Sequence, residues 1–185
     1  MTKDRLISPF ILDNPIRRVF MPPTKVVDRF RDYLRPGMTL LDVGSGPGFF
    51  LPILSKLVGE EGKVWAVDPD PRAIERIRKR GLSNVEPRIG TASSLDFLPD
   101  KSVDFVFSNL VLCCLVDHEG AVKEMLRVMK DGSKAYISVT RSRGKDPRNF
   151  RTEEWRDLES KLKIIRRGSS IMELWMLAEK PGIKQ

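Results

Sequence analysis

The sequence predicts an α/β fold built on an open, mostly parallel sheet of seven strands, with one antiparallel edge strand near the C-terminus. Three observations lead to this prediction. Short apolar runs rich in β-branched residues alternate with segments of helical periodicity. A glycine-rich turn joins the first strand to its helix, and two strand-like runs separated by a glycine-serine turn follow the last helix. We therefore expect helices on both faces of the sheet.

The first strand and the helix after it organise the rest of the chain. Residues Thr39–Val43 form a short apolar run that fits a central parallel strand. Apolar residues then recur at helical spacing from Phe49 until Gly59 ends the pattern. Glycine at a turn allows φ > 0 and lets a ligand lie against the main chain. Three glycines stand between the strand and the helix: Gly44, Gly46 and Gly48.

The later elements follow in alternation. Helices are predicted to start near Thr24, at Asp70, near residue 118 and at Thr152. The third strand contains Pro87, which lacks the N–H needed by a sheet ladder and so predicts an edge position. Further strands are predicted at 63–67, 84–89, 103–107, 134–140, 163–166 and 171–178.

Length and composition suggest one α/β domain. The 185 residues, of which 41% are hydrophobic, can bury one core, so we expect a single domain over 1–185, with an arm at 1–23 and the core fold at 24–180. No run is apolar enough for a membrane span or a signal peptide, which predicts a cytoplasmic protein. The net charge of +8 allows a polyanionic partner, but the high charged content is equally typical of thermophile proteins.

The spacing of the glycines distinguishes two kinds of ligand. A dinucleotide fingerprint requires a third small residue at position 49, where this chain has Phe49. The observed pattern is Asp-x-Gly-x-Gly-x-Gly, from Asp42 to Gly48. It resembles motif I of the class I S-adenosylmethionine (SAM) dependent methyltransferases. The resemblance implies a Rossmann-like class I methyltransferase fold, SAM as cofactor, S-adenosylhomocysteine as product, and no metal.

Further segments are similar to the same family over roughly residues 24–180. Asp68 ends the second strand, where the family places an acid on the ribose hydroxyls. Thr91 stands where the family usually has an acid that meets the adenine amino group. The segment 108–112 resembles that of the quinone-biosynthesis, or type 11, group. The cofactor-binding residues implied by the resemblance are Asp42, Gly44, Ser45, Gly46, Gly48, Asp68, Pro69, Thr91, Ala92, Ser93, Asn109 and Leu110.

Few residues are suited to assist methyl transfer directly. His118, the only histidine, is predicted at the start of the helix after strand 4 and could act as a general base; the alternative is a solvated residue. Cys113 and Cys114 replace two residues that are often histidines in the type 11 group. They could be a nucleophile or a ligand for a soft metalloid, or small buried residues.

A basic loop follows strand 5. Its cations could steer an anionic acceptor towards the carboxyl ends of the strands, or they could simply be solvated. The leading interpretation is a methyltransferase with a small-molecule acceptor; the alternatives are an RNA or protein methyltransferase and a SAM-binding, non-catalytic subunit. The basic residues of the loop are Arg141, Arg143, Lys145, Arg148 and Arg151.

Overall fold

The structure is a computed structural model that describes residues 3–5, 22–141 and 144–182. The contacts divide the chain into two compact units, Leu6–Thr91 and Ala92–Gln185, the latter together with Met1–Arg5. Most of the predicted N-terminal arm, residues 6–21, lies outside the described residues.

The unit Leu6–Thr91 contains three parallel strands in the order β3-β2-β1. The helix predicted from Thr24 is much shorter than expected, and Pro22 rather than Thr24 is its N-cap, without a side-chain hydrogen bond. A separate 3₁₀ helix follows at Arg31–Tyr33. The elements are α1 (Pro23–Val27), β1 (Thr39–Val43), α2 (Leu51–Val58), β2 (Lys63–Asp68), α3 (Pro71–Lys79) and β3 (Val85–Ile89).

Burial and capping account for the elements of this unit. Leu51, Leu54 and Val58 of α2 are fully buried, and the helix ends at Gly59, whose φ is +71°. Asp70 caps α3 as predicted, because its Oδ1 accepts the Arg72 N–H at 2.9 Å. The Arg72 guanidinium that hydrogen-bonds to Asp70 also lowers the pKa of this carboxyl. The helix therefore begins next to the end of β2.

The second unit contains the other four strands, in the order β4-β5-β7-β6. Strands β4 and β5 are parallel, whereas β7 is antiparallel to both β5 and β6. The antiparallel strand was expected at the edge, and this detail is wrong, because β7 lies between β5 and β6. The elements are β4 (Val103–Asn109), α4 (His118–Val128), β5 (Met129–Thr140), α5 (Thr152–Ser160), β6 (Lys163–Ser169) and β7 (Glu173–Glu179).

The outer strand of each unit carries groups that discourage further pairing. Strand β3 pairs with β2 alone among the described residues, and it contains Pro87, as predicted. Strand β6 carries the exposed side chains of Lys163, Arg166 and Arg167. Within the described ranges the strands number seven, and they form a mixed, mostly parallel sheet. The fold class predicted from the sequence is confirmed.

Gly48 offers a test of why the loop after β1 needs glycine. Its φ is +82°, and an added Cβ would lie 2.8 Å from Leu51 Cδ1 and 3.1 Å from Ile77 Cγ1. We expect Gly48→Ala to lower the free energy of unfolding by about 2–4 kcal/mol, from backbone strain plus overlap. Gly37 is the matched control, since its φ is +83° but nothing lies within 4 Å of the added Cβ.

Gly37→Ala should therefore cost only the conformational strain, about 1–2 kcal/mol. Urea unfolding of both variants measures the difference. Equal losses would show that the surroundings of Gly48 do not matter.

Candidate functional site

The loop after β1 is closed onto the end of β2 by its own amides. The N–H groups of Gly44 and Ser45 both donate to the Val67 carbonyl oxygen, at 2.8 and 3.0 Å. The Gly46 N–H donates to Oδ2 of Asp68 at 2.8 Å. These bonds fix the loop against β2 before any ligand arrives.

The rest of the loop has no spare donor either. The Gly48 N–H donates to the Ser45 carbonyl oxygen at 3.0 Å, and Pro47 has no N–H. The φ angles of Gly44 and Gly46 are +69° and +53°, which few other residues adopt. A pyrophosphate site needs free N–H groups in such a loop. All the N–H groups of residues 44–48 are already used within the protein, so the loop does not offer that kind of site.

Asp42 is a buried carboxyl directly before this loop. It is 2% exposed, and its Oδ2 has no hydrogen-bond partner among the described residues. Burial raises the pKa of Asp42 to about 7, and the negative charge of Asp68 adds to this rise. A buried carboxylate oxygen without a partner is costly unless a ligand supplies a positive charge or a donor. This side chain therefore fits a cationic ligand.

Asp68 lies at the end of β2 with both oxygens held by main-chain amides. Its Oδ2 accepts from Gly46, and its Oδ1 accepts the Asp70 N–H at 2.9 Å. Burial raises the pKa of Asp68, while these two amide bonds oppose the rise. Each carboxylate oxygen has a second lone pair, so the side chain can still accept from two hydroxyls. Pro69, the next residue, is half-buried.

The segment predicted to meet adenine divides between the units. Thr91 is the last residue of the first unit and is half-buried. In the second unit Ala92 is buried and Ser93 is half-buried. Farther along the second unit, the Leu95 N–H donates to a carboxylate oxygen of Glu124 on α4 at 2.9 Å. The adenine contacts of these residues stay a prediction.

The segment after β4 carries a strained main chain. Leu110 has φ +61°, a left-handed conformation that is uncommon for a residue other than glycine. Its N–H donates to the carbonyl oxygen and to Oγ of Ser138, at 3.0 and 3.1 Å. The Ser138 hydroxyl in turn donates to Oδ1 of Asn109 at 3.1 Å. The sequence indicated Asn109 and Leu110 but not the serine on β5 that holds them.

The adjacent thiols of Cys113 and Cys114 both donate to the Leu110 carbonyl oxygen, at 3.4 and 3.7 Å. Cys113 is buried and Cys114 is half-buried. The neighbouring thiol of Cys114 lowers the pKa of Cys113, and the Thr140 hydroxyl contributes. The same neighbour contact, together with burial, raises the pKa of Cys114. Within the part of the chain that the structure describes, no group of three or more His, Cys, Asp and Glu side chains could hold a metal.

His118 is buried. The alternative that it is a solvated residue at the start of its helix is therefore wrong. The residue is 6% exposed, and its Nδ1 lies 2.8 Å from Oε1 of Glu154. Its ring packs edge-to-face with Phe150 at a centroid distance of 5.0 Å. Its Nε2 is buried without a partner among the described residues. The sequence did not predict this pair, and the acid in the first turn of α5 was the only signal for Glu154.

The charges of the predicted basic loop are partly neutralised. Arg148 and Arg5 both form ion pairs with Asp146, at 2.7 and 2.9 Å. The hydrogen bonds from Arg148 hold the pKa of Asp146 far below its usual range. The Arg141 guanidinium donates to the Ser170 carbonyl oxygen at 3.1 Å. Arg143 lies outside the described residues, while Lys145 and Arg151 are exposed.

Helices suited to a bilayer are absent from the described parts of the chain, where none combines sufficient length with sufficient apolar character.

Comparisons with known proteins define the class. The family model of the methyltransferase domain matches residues 41–137, which is more than half of the chain. A crystal structure of a SAM-dependent methyltransferase from Aquifex aeolicus is 31% identical, with a TM-score of 0.76, over 95% of this chain and 100% of that one. The chain belongs to the SAM-dependent methyltransferase family.

Two curated relatives add detail without fixing a substrate. An arsenite methyltransferase from Halobacterium salinarum is 35% identical over 57% of this chain and 28% of its own length. A ubiquinone/menaquinone biosynthesis C-methyltransferase from Shewanella sediminis is 34% identical over 56% of this chain and 43% of its own length. The matched region thus covers less than half the length of either relative.

Asp42 gives a pH dependence with a definite sign. The pKa of Asp42 is about 7 in the folded protein and near 3.8 in the unfolded chain. At a pH between these two pKa values, the folded state therefore keeps a proton that the unfolded state has already lost. We expect the free energy of unfolding of the ligand-free protein to fall, by up to a few kcal/mol, as the pH rises from about 4 to 7.

Asp42→Asn is the control, because its amide resembles the protonated carboxyl and does not titrate. Urea unfolding at several pH values gives the free energy of unfolding of both proteins. The value for the unsubstituted protein minus that for Asp42→Asn should fall as the pH rises. A difference that does not change with pH would rule out the raised pKa.

Proposed function

We propose that this chain binds SAM and transfers its methyl group to a small-molecule acceptor. The proposal rests on two observations together: the N–H groups of residues 44–48 are all used within the protein, and Oδ2 of Asp42 beside them has no hydrogen-bond partner among the described residues. SAM carries a sulfonium and an ammonium, whereas a dinucleotide presents a pyrophosphate to such a loop. A buried carboxylate next to a loop without donors favours the cation.

Two acidic side chains are proposed to bind different parts of SAM. Asp42 supplies negative charge for the methionine half of SAM, and Asp68 supplies acceptors for the ribose hydroxyls through its remaining lone pairs. When bound, SAM supplies the methyl group by in-line displacement at the sulfonium. Much of the acceleration then comes from alignment and from exclusion of water. Ala92, Ser93, Asn109 and Leu110 are proposed to complete the cofactor contacts.

His118 is proposed to hold the proton that an acceptor loses. The Glu154 carboxylate can only accept a hydrogen bond, so Nδ1 of His118 carries the hydrogen and Nε2 is the basic atom of the neutral ring. A small molecule is the favoured acceptor because Asp146 already pairs with Arg148 and Arg5, which leaves fewer free cations near the loop for a polyanion.

The ribose contact provides the sharpest test of the cofactor. Asp68→Ala should weaken SAM binding by about 1–3 kcal/mol, because the ribose hydroxyls lose their acceptor in a closed site. Asp70→Ala is the matched control, since it should cost about 1 kcal/mol of stability as a lost helix cap while SAM affinity stays the same. Isothermal titration calorimetry measures both affinities.

The same titration with NAD should show no comparable binding, because Phe49 replaces the third small residue and the loop has no free donors. Tight NAD binding without SAM binding would refute the proposed cofactor.

The acceptor class is tested through the basic loop. If the acceptor is a small molecule, a generic RNA should bind weakly at about 150 mM salt, and the charge reversals Arg141→Glu, Arg143→Glu and Lys145→Glu should change that affinity little. Fluorescence anisotropy over a salt series measures it. Submicromolar RNA affinity that disappears in the triple variant would favour an RNA methyltransferase instead.

A further inference from the structure

The turn between β6 and β7 displays two large apolar side chains to solvent. Ile171 is 94% exposed and Met172 is 76% exposed, and the two residues are adjacent in the sequence. The other exposed large hydrophobic residues of the described chain, Ile89 and Val116, reach only 54% and 40%. Single exposed apolar residues are ordinary on a protein surface, whereas two neighbours exposed this fully at one tip indicate a contact surface.

Hydrogen bonds hold the main chain of this tip in place. The Ser170 N–H donates to the Glu173 carbonyl oxygen at 2.8 Å. The Ser170 Oγ accepts the N–H groups of Met172 and Glu173, at 3.2 and 3.0 Å. Arg141, directly after β5, donates its N–H to the Met172 carbonyl oxygen at 2.8 Å and its guanidinium to the Ser170 carbonyl oxygen at 3.1 Å. A fixed main chain therefore presents the two apolar side chains, which lowers the ordering cost of a contact.

The surroundings of the tip are basic. Arg141 is exposed beside the turn, and Arg166 and Arg167 are exposed on β6. Arg167 forms an ion pair with Glu159 at 3.2 Å, whereas Arg166 forms none with a described residue. Glu173, the acid that follows the turn, is half-buried. Apolar side chains flanked by arginines match a surface that is anionic outside and apolar beneath.

The tip also lies at the carboxyl ends of β4 and β5. Thr140, the last residue of β5, pairs with Glu173 at the start of β7, so the turn 170–172 lies just beyond the end of β5. Asn109 ends β4 and pairs with Ser138, two residues before the end of β5. Ligands of open α/β sheets bind at the carboxyl ends of the strands. A surface that contacts this tip is therefore close to the edge of the sheet at which an acceptor is expected.

From these features we infer that the tip formed by Ile171 and Met172 binds the surface of an anionic lipid bilayer. The two apolar side chains enter the boundary between headgroups and acyl chains, and the flanking arginines lie among the anionic headgroups. Each contribution is weak alone, so binding requires the apolar tip and the anionic lipid together. The inference goes beyond the proposed function and does not depend on it, because the tip contains no residue proposed to bind SAM.

Co-sedimentation of the full chain with vesicles tests this surface. We expect binding to phosphatidylcholine vesicles that contain about one third phosphatidylglycerol, and at least about tenfold weaker binding to pure phosphatidylcholine. Ile171→Ser should lower the partition onto the anionic vesicles about fivefold to tenfold, because less apolar area leaves water. Ile89→Ser is the matched control, since Ile89 is also exposed but belongs to the other unit, and it should leave the partition unchanged. No loss in Ile171→Ser, or equal losses in both variants, would overturn the inference.

Two double variants of equal charge change test the arginines beside the tip. Arg166→Gln with Arg167→Gln should weaken binding to the anionic vesicles about threefold to tenfold. Arg78→Gln with Lys79→Gln removes two exposed cations from α3 in the other unit and should weaken binding less than about twofold. Equal weakening by the two pairs would mean that only net charge matters, which contradicts a local surface.

A second copy of the chain is the other occupant that experiment can reveal. Sedimentation velocity without lipid gives the oligomeric state of the unsubstituted protein and of Ile171→Ser. We expect the same state for both proteins. A dimer that dissociates on this substitution would overturn the inference, because protein rather than lipid would then cover the tip. SAM titrated in the absence of vesicles tests the cofactor separately, so the failure of one proposal is distinguishable from the failure of the other.

Discussion

The hydrogen bond from the Gly46 N–H to the Asp68 carboxylate is the interaction on which the proposed cofactor site depends. It joins the loop after β1 to the end of β2, and the same carboxylate accepts the Asp70 N–H at the start of α3. One side chain therefore fixes a loop, a strand end and a helix start. Three positive φ angles are needed for the loop to reach it, which is why glycine stands at alternate positions. The geometry is set before a ligand binds, so little ordering cost remains for binding.

This arrangement leaves negative charge in the interior of the first unit. Burial raises the pKa of both Asp42 and Asp68, and the charge of Asp68 adds to the rise at Asp42. Neither carboxyl forms an ion pair with a described basic residue. This arrangement destabilises the ligand-free fold, and a cation bound there would relieve it. Functional sites often carry this kind of cost because pre-organised charge is what the ligand needs. The proposed sulfonium ligand fits the requirement.

Local signals in the sequence predicted the local structure well. Strand β1, helix α2 and the Asp70 cap were predicted from apolar spacing, Gly59 and the Asp-Pro step, all of which act within a few residues. The helix at Thr24 was wrong in extent because its apolar spacing was matched by no stabilising cap. The His118–Glu154 pair could not be predicted, since its members come from different helices and meet only through packing. The hydrogen bonds that occupy the N–H groups of the loop could not be predicted either, because they depend on the register between β1 and β2.

Pro87 and the basic residues of β6 have a consequence for the behaviour of the protein at high concentration. An open sheet exposes main-chain donors and acceptors along its outer strands, and these can add a strand from another molecule. Pro87 removes a donor from β3, and the exposed Lys163, Arg166 and Arg167 would bring like charges together if two copies met along β6. Both outer strands thus resist strand addition between molecules. Oligomers of this protein, where they form, are expected to use helical surfaces rather than continuous sheets.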